Sequence, residues 1–120
     1  ITEYLKSVTS ERNTLVIAAG DLSHVGPAFG DNHPVDGNAL KGLKSQDGES
    51  IDAICQGDAD GFFEMSRAER DTRKICGLSP IYMMLRLLET TEGESFGYDQ
   101  CPADQTSTSY VTITGAMLYN

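Results

Sequence analysis

The stretch Thr14-Leu15-Val16-Ile17-Ala18-Ala19 constrains this chain more than any other. It is continuously apolar where a half-exposed strand would alternate, and it is rich in β-branched side chains. Such a run predicts a strand buried on both faces, as in a parallel sheet flanked by helices. Ahead of it, Tyr4, Leu5 and Val8 share one helical face within Ile1 to Ser10. Helix followed by buried strand is half of a βαβ unit, and the partner strand would precede Ile1. The expectation is a chain that opens in mid-fold, a processed or excised segment whose first residue is Ile1 and not Met. An unpaired apolar strand is also a template for another chain, so self-association is expected.

From Gly20 to Asn38 the chain is punctuated by Gly20, Gly26, Pro27, Gly30, Pro34 and Gly37. This predicts a long loop, and loops of more than ~12 residues inside compact domains are often functional. Helical spacing resumes around Lys44 to Gln56, where Ile51, Ile54 and Cys55 share a face. Asp60 is placed to cap a short helix carrying Phe62, Phe63 and Met65. Ser79 as N-cap and Pro80 at N1 open the clearest helix, which runs through Ile81, Met84, Leu85 and Leu88 to Gly93 as its C′ glycine. Phe96 to Cys101 and Ser109 to Tyr119 read as closing strands. No repeat period and no low-complexity tract interrupts this order, which predicts an α/β layered fold.

Composition narrows the function classes. A length of 120 residues suits one domain, and 39% hydrophobic with 22% charged residues excludes general disorder. The longest apolar run, Leu15 to Ala19, is far shorter than the ~20 residues of a membrane span. No basic segment followed by an apolar one marks a signal peptide, so a cytoplasmic location without membrane contact is expected. Nine basic against 18 acidic residues give a net charge of −9, which argues against a nucleic-acid partner. The tightest basic group, Arg67, Arg70, Arg73 and Lys74, is interleaved with Glu64, Glu69 and Asp71 and predicts a solvated helix face or helix end. Three cysteines without a C-x-x-C pair fit a reducing compartment.

The segment richest in chemistry is Gly20-Asp21-Leu22-Ser23-His24-Val25-Gly26, directly after the apolar run. In open α/β sheets ligands bind beyond the carboxyl ends of strands. A carboxylate and an imidazole three residues apart can converge on a metal, or the carboxylate can orient the imidazole. Alternatively, Asp21 caps the following turn and His24 only packs. His33 has a loop context and nothing more. Cys101 ends a predicted strand, where a thiolate can meet copper, zinc or iron; the alternative is an inert buried thiol. Cys55, Met83 and Met84 read as core residues, and Cys76, ahead of Gly77, as a structural thiol.

Ala18-Ala19-Gly20-Asp21-Leu22-Ser23-His24-Val25-Gly26-Pro27-Ala28-Phe29-Gly30-Asp31 resembles a signature of the Memo family, whose prokaryotic members are often called AmmeMemoRadiSam system protein B. Ile75-Cys76-Gly77-Leu78-Ser79-Pro80-Ile81 is similar to the family's C-G-x-x-P helix start. The run from Tyr98-Asp99-Gln100-Cys101 to Thr108-Ser109-Tyr110-Val111 is similar to its terminal segment. The resemblance implies a three-layer α/β/α fold related to class III (LigB-type) extradiol dioxygenases, in which histidines and a carboxylate hold a non-haem iron. It also implies a pocket of histidines plus a cysteine associated with copper or iron. Carried onto this chain, Asp21 and His24 match the D-x-x-H word and Cys101 the pocket cysteine. The metal residues expected are therefore His24 and Cys101, with Asp21 lining the pocket.

The family's two other pocket histidines lie in an N-terminal half that these 120 residues do not contain. The resemblance thus implies a single, partial Memo-like domain spanning 1–120, the C-terminal half of its parent. Iron or copper is expected in the full-length parent and no cofactor in this piece alone. The function implied is a redox or dioxygenase-like role, and the alternative is a non-catalytic ligand- or peptide-binding module. The partners expected are the missing half and a second copy of the chain.

Overall fold

A computed structural model describes residues 1–89 and 92–119. The apolar alternation of the last third builds its sheet. Strand β2 (Glu92–Pro102) and strand β3 (Tyr110–Tyr119) pair antiparallel, from Glu92 opposite Tyr119 to Pro102 opposite Tyr110. A bulge between Phe96 and Tyr98 falls at Gly97, whose φ of 66° is open to glycine at little cost. Asp104 closes the hairpin loop by accepting the Thr108 backbone N–H at 2.7 Å. A two-residue strand β1 (His24–Val25) pairs antiparallel with Val111 and Tyr110, giving the order β1-β3-β2.

Among the described residues four α-helices accompany the sheet, and the fold is α/β. Helix α1 (Thr2–Ser10) buries none of its residues and is tied to the body by the ion pair of Lys6 with Glu89. Helix α2 (Gly37–Cys55) begins well ahead of Lys44, because Asp36 accepts the Ala39 N–H at 2.8 Å and fixes the start there. Helix α3 (Ala59–Ala68) is capped by Asp58 through Gly61 N–H at 2.9 Å, which corrects the assignment of that role to Asp60. Helix α4 (Leu78–Leu88) has Gly77 at its N-cap, so Ser79 lies inside the first turn. It ends at Glu89, in the left-handed region with φ 51°, and Gly93 is paired with Leu118 in the sheet. None of the described helices is long and apolar enough to cross a membrane.

The core lies among α2, α3 and α4, where Phe62, Ile54, Ile81 and Leu85 are buried. Each such side chain contributes roughly 1.5–3 kcal/mol on leaving water. Leu22 enters the same core from the loop after the apolar run, leaving the residues on either side of it at the surface or under β3.

The Leu15–Ala19 strand differs from expectation. Among the described residues it pairs with no strand, and Leu15 and Ile17 are 83% and 76% exposed. Only Val16 and Ala18 turn inward. The sheet itself is antiparallel and not parallel, because β3 takes its neighbours from the hairpin and from the short β1. Burial on both faces needs a second layer that the described residues do not provide here.

Candidate metal centre

Two backbone segments define the site. Gly77 N–H donates to the Asp21 carbonyl at 2.8 Å, and His24 N–H donates to the Arg73 carbonyl at 2.7 Å. These bonds lay residues 20–24 against 73–77 so closely that side chains are excluded at the crossing. A Cβ at Gly20 would sit 2.6 Å from the Gly77 Cα, and one at Gly77 would sit 2.7 Å from the Asp21 carbonyl oxygen. Glycine here serves close approach.

The crossing carries Asp21 and His24 on one side and Cys76 on the other. One ligand atom from each of these three lies within 4.8 Å of the others. The His24 Nδ1–H donates to the Leu22 carbonyl at 3.2 Å, which fixes the tautomer and leaves an Nε2 lone pair. That Nε2 is 3.9 Å from Asp21 Oδ2. Phe29 meets the His24 ring edge-on, with centroids 5.0 Å apart and planes at 85°. Asp21 and Cys76 are exposed while His24 is half-buried, so the group opens to solvent.

Carboxylate, imidazole nitrogen and thiol therefore lie within reach of one another. A Cys-His-Asp proton relay would place the carboxylate on the ring nitrogen remote from the nucleophile. Here Leu22 occupies Nδ1, and Asp21 faces Nε2. The arrangement suits a shared cation. Nitrogen and sulfur donors favour copper, zinc or iron over magnesium or calcium.

The expected site residues separate into two groups. Asp21 and His24 come together, and the cysteine beside them is Cys76. Cys101 stands outside this group. It pairs with Val111 on β3, and His24 pairs with Val111 from the other side, so Cys101 and His24 flank one residue. Two strand spacings put their backbones about 10 Å apart, on the same face of the sheet. Position at a strand end pointed to Cys101; the signal for Cys76 is the glycine after it, which lets that segment touch Gly20 and Asp21. Exposed His33 borders a separate cavity of about 320 Å³ with Val35, Leu43 and Gln46. Half-buried Cys55 packs against the core, and burial, then Asp52 and Glu94, push its thiol pKa up.

Beneath the site runs a polar network that the charge pattern of the sequence hides. Arg73 is 4% exposed, against the expectation of a solvated helix face. Its guanidinium donates to Asp47 Oδ1 at 2.8 Å, to Ser50 Oγ at 2.9 Å, and to both Glu69 oxygens at 2.9 and 3.0 Å. Fully buried Asp47 also accepts from Ser23 Oγ at 2.6 Å and from the Tyr98 hydroxyl at 2.8 Å. Burial first, and then the Asp47 carboxylate, raise the Tyr98 pKa well above its ordinary value. Gln100 Nε2 joins Tyr98 at 3.1 Å to the end of the network. Such a pair is tolerated in a core because its donors and acceptors are matched. Lys74, next along the chain, pairs with Asp31 at 2.6 Å, and Asp31 also accepts Gly26 N–H at 2.7 Å.

A family model described as Memo-like protein matches residues 1–117. No curated protein matches the chain.

Proposed function

Since this chain belongs to the Memo-like protein family, we propose that Asp21, His24 and Cys76 are its share of a metal centre. The observation carrying this reading is the approach of the three ligand atoms to within 4.8 Å of one another. Asp21 supplies a carboxylate oxygen, His24 its Nε2 and Cys76 a thiolate. The Leu22 carbonyl orients the imidazole, as backbone carbonyls commonly do behind metal-bound histidines. Phe29 shields one edge of the ring. Cys101, on the same face two strands away, is the second cysteine within range of a larger site.

Three donors leave coordination positions open, which suits a reactive centre more than a closed structural one. Iron or copper bound there would supply one-electron redox or dioxygenase-like chemistry. The remaining ligands are then provided from outside these 120 residues, by a further portion of the same fold, and 1–120 is one part of a larger Memo-like domain. A similarity to LigB-type dioxygenases belongs to the same proposal, as does a cytoplasmic location. Metal content of the purified chain and of the longer parent protein tests it. Loading by iron or copper is expected to fall in His24→Ala and Cys76→Ala and to persist in Cys101→Ala. Loss in Cys101→Ala with retention in Cys76→Ala would assign the thiolate to Cys101.

A second reading, a non-catalytic ligand- or peptide-binding module, draws on a separate apolar groove of about 250 Å³. Ile17, Ala18, Met84, Leu88, Met117 and Leu118 are among its walls. Retained metal with no change in redox activity on adding any oxidant would favour that reading.

A further inference from the structure

The buried cation of this fold lies next to the candidate centre in a way that core stability alone does not require. We infer that Arg73 is a positioning residue for His24 and Cys76, acting through the strap of residues 70–77. The geometry runs through one residue: the Arg73 side chain is locked from α2 and α3, and its own carbonyl takes the His24 N–H at 2.7 Å. Three residues further along the strap is Cys76, and Gly77 is fastened to Asp21. The guanidinium thus fixes a peptide that links the Cys76 strap directly to the histidine.

Two observations separate this from plain packing. A buried ion pair often contributes little stability beyond a well-packed apolar substitute, so packing alone does not account for the fully matched geometry around Arg73. The strap is also strained. Arg70, Asp71 and Lys74, none of them glycine, have φ of 56°, 58° and 49°. Left-handed non-glycine residues are costly, and they persist where the surroundings over-determine them. The contacts of Arg73 with Asp47, Ser50 and Glu69 hold the strap from inside, and the pair of Lys74 with Asp31 holds it from outside. Ser23, one residue before His24, reaches the same Asp47 oxygen as Arg73, so both sides of the crossing are referenced to a single carboxylate.

The test compares the wild-type chain with Arg73→Lys, which keeps the charge and loses the planar fork. Its metal arm rests on the proposed centre; its metal-free arm does not. In the metal-free arm, proton NMR follows the His24 ring, assigned as the signal missing from His24→Ala. The Phe29 ring lies 5.0 Å away, so a small displacement of either ring moves that signal. In the metal arm, Co²⁺ titration follows the thiolate charge-transfer band that Cys76 would give. Folded Arg73→Lys, judged by circular dichroism and a cooperative melt, is expected to show shifted His24 ring protons. Its Co²⁺ affinity is expected to be about 10-fold weaker or more, the range seen for residues behind metal ligands. Unchanged ring shifts in folded Arg73→Lys overturn the inference. Wild-type chain that gives no cobalt–thiolate band overturns the metal reading alone, and the ring shifts still decide Arg73. If Arg73→Lys does not fold, Tyr98→Phe, which removes one donor from Asp47 and no charge, takes its place. A His24 ring signal that moves in Tyr98→Phe supports the inference, and one that stays overturns it.

Discussion

At the scale of single residues, half of the proposed site was legible in the sequence. Asp21 and His24 stand out because a carboxylate and an imidazole sit in a glycine-bounded loop word, and local spacing brings them together. Cys76 did not stand out, since its neighbourhood to them depends on a crossing between segments far apart in sequence. Gly77 is a clue to that crossing only once Gly20 is seen against it. Arg73 was hidden for a related reason: residues with mixed charge around a basic group look solvated until a buried carboxylate such as Asp47 is placed beneath them. That burial has a titration consequence at Tyr98. Its folded-state pKa is raised above the ordinary 10.0, so its contribution to stability is complete below pH 10 and is lost as pH rises toward the folded-state value. Urea unfolding midpoints taken upward from pH 9 should therefore fall more steeply in the wild type than in Tyr98→Phe. Parallel slopes would show that the phenol does not gain from its place beside Asp47.

Among elements, the helices and the closing hairpin were readable from periodicity, while their ends were not. Caps decide ends: α3 is capped by Asp58, two residues before the expected Asp60, and α2 by Asp36, well ahead of Lys44 where helical spacing becomes visible. Glycines at 37 and 42 also disguise the first half of α2, because each lowers helix propensity by ~1 kcal/mol relative to alanine. The space around Gly42 is open, with nothing within 4 Å of an added Cβ. Gly42→Ala is accordingly expected to stabilise the chain by about 0.5–1 kcal/mol, read as a raised thermal midpoint. A lowered midpoint would mean that α2 owes its form to something other than local helix propensity. The sheet direction was misjudged from the Leu15–Ala19 run, because continuous apolarity reports intended burial and carries no information about which strand supplies it.

For the whole molecule, that same run has an energetic consequence. Leu15 and Ile17 stand in water beside exposed Met117, although each would release roughly 25 cal/mol per Å² if covered. Self-association is the expected outcome. Light scattering at micromolar concentration should find species larger than 13.0 kDa, and Ile17→Lys should shift the population toward the monomer. A wild-type chain that stays at 13.0 kDa on dilution and concentration alike would contradict this. The crossing of residues 20–24 with 73–77 bears on order in time as well as on shape. The chain between its two arms contains all of α2 and α3, so closing it costs loop entropy that only their packing offsets. Asp21 and His24 precede both helices in the chain, yet Cys76 comes beside them only when both helices have docked. In the proposed centre the third donor thus arrives last, as a signature that the fold is complete.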